Sequence, residues 1–208
     1  MYRPTAFAVD DVKALHAFIR ERVFATFARA ADGDVALAYA PVLLDAGTGP
    51  FGSLRCHFAA SNPIVANIDG AQLRVSLVGP DAYISPDWYE TPGIVPTWNY
   101  LAVEGSGPAR KLDTAELRQL LVDISADQER RLSPKQPWTI DKVPAAKMNA
   151  LMGAIVGIEL RLERLEGKFK LSQNIKPEDF AGALRGLEAR GDAASLAVAA
   201  AMRKAIAP

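Results

Sequence analysis

Reactive and metal-binding side chains are scarce in this 208-residue chain, which holds one cysteine, Cys56, and two histidines, His16 and His57. One cysteine excludes an intramolecular disulfide framework and any multi-cysteine zinc or iron–sulfur centre, and a reducing, cytoplasmic setting is the expectation. Without H-E-x-x-H or a third histidine, a metal site would have to borrow carboxylates. An excess of either charge is also missing: 24 Lys and Arg balance 24 Asp and Glu. Direct DNA binding is therefore doubtful, because gripping phosphates usually leaves a basic surplus. Long apolar runs are absent too, since the Ala-rich stretch Ala193 to Met202 is about half of the roughly 20 residues a membrane span needs. Met1-Tyr2-Arg3-Pro4 leads within a few residues to Asp10-Asp11, which is no secretion signal. A soluble protein with no membrane partner is expected. Walker A and G-x-S-x-G patterns are lacking and no G-x-G-x-x-G opens a helix after a strand, which removes the usual warrants for P-loop, Rossmann and α/β-hydrolase chemistry.

Half of the residues are apolar, enough for one domain with a real core. Asp10 and the spacing of Val12, Leu15, Phe18, Ile19 and Val23 predict a helix over 10–22, with His16 at its core boundary. Beyond it come short β-rich runs, 23–30, 35–44, 51–59 and 72–79, punctuated at Asp32-Gly33-Asp34, at 45–50 and at Asp69-Gly70. They are too close together for crossover helices, so an antiparallel barrel or sandwich follows. A strand is expected over 97–112. Asp113 and Glu116 form a capping box before a helix with the stripe Leu117, Leu120, Leu121 and Ile124. A short helix over 144–151 follows, then a strand through Ile158, Leu160 and Leu162 that continues into 166–174. Helices 177–190 and 192–206, broken at Gly191, complete an α+β protein, mainly antiparallel β. The expected division is a domain over 1–176 and a helical extension over 177–208, packed on the barrel or on a partner subunit.

The candidate chemistry sits at strand ends. Side chains alternate along a strand, so Leu54, Cys56 and Phe58 should face the core while Ser53, Arg55 and His57 share the other face. Ser61-Asn62-Pro63 follows as a turn or N-cap that could present backbone N–H groups to a phosphate. Two of the three tryptophans and three of the five tyrosines fall within residues 79–100, suited to ligand stacking, to a subunit interface or to plugging a barrel end. Lys168 and Lys170 share one strand face ahead of Ser172-Gln173-Asn174. These groups fit a planar, phosphate-bearing ligand, and they equally fit solvated lysines beside a structural turn.

Met1-Tyr2-x-Pro4, Asn62-Pro63, Gly79-Pro80-x-Ala82-Tyr83-Ile84-Ser85-Pro86-x-Trp88-Tyr89, Val95-Pro96-Thr97-Trp98-Asn99-Tyr100, Ile155-Val156-Gly157 and Lys170-Leu171-Ser172-Gln173-Asn174 stand in this order. Together they resemble the PaiB-like family of FMN-binding negative transcriptional regulators over nearly the whole chain. The resemblance implies a split β-barrel of the pyridoxamine-phosphate-oxidase-like kind with peripheral helices, a homodimer, and FMN at the subunit interface. It implies His57, Ser61 and Asn62, with Arg55 as a weaker member, on the phosphate side. Trp98, Asn99, Tyr100, Lys170, Ser172 and Gln173 fall at the cofactor or the dimer interface. Relatives usually read G-P-H-A-Y where this chain has Asp81, often Thr-His-Leu-Pro where it has Ala38-Tyr39-Ala40-Pro41, and often a basic residue or tyrosine where it has Ala60. Each exchange leaves less positive charge for a phosphate.

By this resemblance the leading expectation is a flavin-binding regulator acting through another factor, since no helix-turn-helix with a basic recognition helix stands out. The alternative is a flavin-dependent oxidoreductase of the FMN reductase or oxidase type, in which the isoalloxazine does the chemistry. Haem binding, as in some split-barrel relatives, is a third possibility and would need an axial ligand from His16, His57, a tyrosine or a methionine.

Overall fold

The computed structural model describes residues 1–31 and 33–205. Asp32, in the expected Asp32-Gly33-Asp34 turn, and Ile206, at the end of the expected last helix, lie outside the described residues. In chain order the elements are β1 (Ala8–Val9), α1 (Val12–Arg22), β2 (Phe24–Ala31), β3 (Asp34–Pro41), β4 (Leu43–Asp45), β5 (Ser53–Ala59), β6 (Gln72–Ile84), β7 (Thr97–Lys111), α2 (Thr114–Arg130), α3 (Ala145–Gly153), β8 (Ile155–Arg161), β9 (Arg164–Lys170), α4 (Pro177–Arg190) and α5 (Ala193–Ala205). Hydrogen-bonded strands follow the order β3-β2-β6-β7-β8-β5-β4, while β9 pairs with β1 and β7. The chain forms two compact units, one of His16–Leu77 and Glu104–Leu165, the other of Met1–Leu15, Val78–Val103 and the chain from Glu166 onward.

In the first unit β2 and β3 form an antiparallel hairpin from Phe24↔Pro41 to Ala31↔Asp34, and β5 pairs antiparallel with β8 from Ser53↔Arg161 to Ala59↔Ile155. The expected strand over 35–44 is interrupted. Val42 is buried and donates its N–H to Val23 O at 2.9 Å, and beyond it the chain leaves β2 so that β4 pairs with β5. Leu54, Cys56 and Phe58 point into the core as the alternation requires, and the Phe58 ring meets Phe27 edge to face at 5.2 Å. The expected capping box is present: Asp113 Oδ1 accepts from the Glu116 N–H at 2.8 Å while Glu116 Oε2 accepts from the Asp113 N–H at 2.9 Å. Leu117, Leu120 and Ile124 of α2 pack with Leu112 and Met152. This layer approaches β8 at Gly157, where a Cβ would come within 2.9 Å of Leu117 Cδ1.

Two other boundaries differ from expectation. Asp10 is drawn into an ion pair with Arg3 at 2.5 Å, and Asp11 instead serves the start of α1, accepting from the Lys13 N–H at 3.0 Å. The strand expected to run on from Leu162 is two strands. Leu162 N–H donates to Gly52 O at 3.0 Å and Glu163 N–H to Ser106 O at 2.9 Å, tying down the link between β8 and β9. The apolar alternation slips by one residue between Leu162 and Leu165, where Glu163 and Arg164 stand side by side, and that slip is the local mark of the change of partner.

In the second unit β1 lies antiparallel to β9, with Ala8 opposite Lys168 and Val9 opposite Gly167. Helix α4 ends at Gly191, whose φ of +73° is the left-handed geometry glycine adopts without steric cost. Helix α5 follows at once, and Arg203 on it pairs with Glu188 on α4.

Candidate functional site

The first group of candidate residues lies on β5 and the turn after it. Ser53 is fully buried and donates to Glu159 Oε1 at 2.9 Å, and Arg55 Nη2 meets Asp123 Oδ2 of α2 at 3.1 Å. His57 stands opposite Gly157 of β8. Its Nδ1 is buried and makes no hydrogen bond among the described residues, and burial pushes the imidazole pKa below its ordinary value. A buried, unpaired ring nitrogen costs about 1–3 kcal/mol. The turn that follows is tightly built. Asn62 N–H donates to Ala59 O at 2.9 Å, and its Oδ1 accepts from Ile64 N–H at 3.0 Å, capping the single helical turn Pro63–Val65. Ser61 beside it is exposed.

Arg29, absent from the sequence-based candidates, fixes this turn from β2. Its guanidinium donates to Ile64 O at 3.0 Å, to Ala66 O and to Asn67 O at 3.3 Å. Nothing local to Arg29 signals that role, since its partners lie 35 to 38 residues away in the chain.

The second group gathers where β7 begins and β9 ends. Trp98 is half exposed and meets Tyr83 edge to face at 6.1 Å. Asn99 is fully buried; its Nδ2 donates to Ser172 Oγ at 2.8 Å and its Oδ1 accepts from the same hydroxyl at 3.1 Å. Lys168 Nζ sits between two rings, 5.2 Å from Tyr100 and 5.5 Å from Tyr2. Lys170 donates to Thr97 Oγ1 and lies 5.9 Å from the Phe7 ring. Gln173 is exposed and folds back on its own loop, accepting from Leu171 N–H at 2.7 Å and donating to Phe169 O at 2.6 Å.

The aromatic loop after β6 is stapled to α4. Buried Asp179 accepts from Glu90 N–H at 2.8 Å, Thr91 N–H at 2.9 Å and Thr91 Oγ1 at 2.7 Å. The Thr91 hydroxyl is the largest of the influences that hold the Asp179 carboxyl below its usual range. Burial raises the Tyr89 pKa, partly offset by a hydrogen bond with Ser172.

Asn99 and Ser172 are thus brought together, as are Tyr100 with Lys168 and Lys170 with Thr97. Gln173 joins none of these pairs, and the Arg55 charge is already answered by Asp123. An FMN phosphate would find an unsatisfied ring nitrogen at His57 and an exposed hydroxyl at Ser61, so these residues fit that group.

Comparison with known proteins places this geometry in a family. Residues 1–164 match the model of the family described as "Putative FMN-binding domain". The chain belongs to that family. The protease synthase and sporulation protein PAI 2 of Bacillus subtilis (strain 168) is 29% identical over 189 residues, spanning 90% of this chain and 89% of that protein. Among solved structures, the flavocytochrome Anf3 of Azotobacter vinelandii aligns with a TM-score of 0.61 at 15% identity, covering 87% of this chain and 78% of its own. The FAD and heme binding protein of Mycobacterium smegmatis aligns at 0.57 and 14% identity, covering 78% and 73%. At such identities these likenesses concern the fold, which is the antiparallel split barrel that the family resemblance implied.

Proposed function

We propose that this protein is an FMN-binding regulator of the PAI 2 kind, working as a homodimer in the cytoplasm, and that β5 and the Ser61-Asn62-Pro63 turn receive the flavin phosphate. The observation that carries this reading is the buried His57 Nδ1 without a hydrogen-bond partner, one strand-end away from the Asn62 turn. FMN, when bound, supplies reversible redox chemistry at its isoalloxazine. The protein's own part is binding and orientation. His57 offers its ring nitrogen to the phosphate and Ser61 its hydroxyl, whereas Asn62 holds the turn in shape through its cap to Ile64. Arg55, paired with Asp123, adds positive charge from the same strand face. At the second group Trp98 and Tyr100 are the rings available to a flavin or a partner subunit. Asn99, Ser172, Lys170 and Gln173 shape the backbone around them.

Zero net charge, with no basic recognition helix among the described residues, favours regulation through another factor over direct operator contact. The deciding experiment is a visible-absorbance and fluorescence titration of the protein with FMN and, separately, with riboflavin, which lacks the phosphate. FMN should bind, His57→Ala should weaken it tenfold or more, and riboflavin binding should be indifferent to that substitution. Failure of the wild-type protein to take up FMN, or an equal loss for both flavins, would overturn the assignment.

A further inference from the structure

The core-facing row of β2 ends on a charge. Alternation sets Arg29 on the same face as Ala25 and Phe27, which are buried, and the Phe27 ring is fixed against Phe58, the neighbour of His57 on β5. An inward-facing guanidinium needs polar partners. No carboxylate among the described residues pairs with this one; its hydrogen bonds go to Ile64 O at 3.0 Å, to Ala66 O and to Asn67 O at 3.3 Å. Its charge is therefore not neutralised, unlike that of Arg55, which faces Asp123. Asn67 carries a left-handed φ of +48° at the point where its carbonyl meets Arg29, a conformation asparagine tolerates better than most residues.

Most other polar groups of the turn are already spent. Val65 N–H donates to Asn62 O and Ala66 N–H to Pro63 O, both at 3.1 Å, while the Ile64 side chain is fully buried. The Ser61 hydroxyl is exposed and makes no hydrogen bond among the described residues. We infer that Arg29 is a positioning residue for phosphate recognition, acting through the 61–67 turn. The inference rests on the phosphate site proposed above and names what holds that site in shape. A carbonyl oxygen repels a phosphate, and Arg29 draws three of them to itself, so the turn is held with Ser61 free beside the strand of His57. Holding the turn in advance removes an ordering cost that the ligand would otherwise meet. The planar fork of a guanidinium suits several fixed acceptors at once, whereas a lysine ammonium is a compact point charge. The unneutralised charge behind the turn also favours an anionic ligand over a neutral one.

Two measurements on the full chain test the assignment, with Arg29→Gln, Arg29→Lys and, as a control, Arg74→Gln, an exposed arginine of β6 in the same unit. The first is amide hydrogen exchange of segment 60–68 in the protein without flavin. It should be faster in both Arg29 variants and unchanged in the control. The second is fluorescence titration with FMN and with riboflavin. Arg29→Gln should weaken FMN about tenfold or more and Arg29→Lys about threefold or more, with riboflavin affinity and the control unaltered. Circular dichroism verifies folding, and Arg29→Lys decides alone if Arg29→Gln does not fold. Unchanged exchange in the variants, an equal loss for both flavins, or an Arg29→Lys protein that binds FMN as the wild type does would overturn the role of Arg29. If His57→Ala selectively weakens FMN while the Arg29 variants do not, this inference fails and the phosphate site stands. A wild type that takes up no FMN would overturn both.

Discussion

Asn99 and Ser172 hold one another by two hydrogen bonds, 2.8 and 3.1 Å long, in a fully buried position, and Ser172 adopts a left-handed φ of +62° to reach it. A non-glycine residue in that region costs about 1–2 kcal/mol, so the pair must more than offset the strain. Ser172→Ala keeps the strain and leaves the buried Asn99 amide with only the Met202 sulfur, 3.5 Å from its Nδ2, which should lower stability by about 1–3 kcal/mol. Ser172→Gly loses the same bonds but relieves the backbone, so it should cost about 1 kcal/mol less than the alanine variant. Urea unfolding midpoints of the two variants check the order, and an alanine variant at least as stable as the glycine one would sink the account.

Trp88 lies on a helix surface from which side chains are missing. A Cβ on Gly186 would come within 2.1 Å of the indole Cδ2, and one on Gly182 within 1.9 Å of the Trp88 carbonyl oxygen. Since Glu90 and Thr91 are held by Asp179, the loop has little freedom to retreat. Gly186→Ala gains about 1 kcal/mol of helix propensity, yet forces overpacking that costs about 1–3 kcal/mol. The net expectation is destabilisation with a shift in tryptophan emission. A more stable variant with unchanged emission would show that the indole does not rest on α4.

How far the sequence reached can be judged from β5. Period-two alternation sufficed to bury Cys56 and to place Arg55 and His57 together on the other face, because one strand is a local object. The Asn62-Pro63 cap was equally local. What escaped was set by distance along the chain: Arg29 reaching the carbonyls after Pro63, Asp179 gripping Glu90 and Thr91, and the change of strand partner at Val42. Asn99 and Ser172 were named as candidates through motif resemblance, but no local pattern indicates that they bond each other across 73 residues. The choice of Asp10 as a cap failed for a similar reason, since the Arg3 that removes it lies outside the helix pattern.

His57 gives the protein a pH dependence whose sign follows from its burial. The unfolded imidazole titrates near 6.5, and desolvation lowers the folded value below that. The unfolded state therefore binds more protons across the interval between the two values, and stability rises with pH through it. Above pH 7 the penalty is absent, and as pH falls below about 6.5 it grows until the folded-state pKa is passed. His57→Gln removes this slope and leaves only the contribution of other groups. Saturating FMN should blunt or reverse the wild-type slope, because a phosphate beside the ring favours the imidazolium. Urea midpoints of wild type and His57→Gln between pH 5 and 8, with and without FMN, make the test. Identical slopes in the two proteins without FMN would remove His57 as the titrating group, whereas a slope unchanged by FMN would separate it from the phosphate.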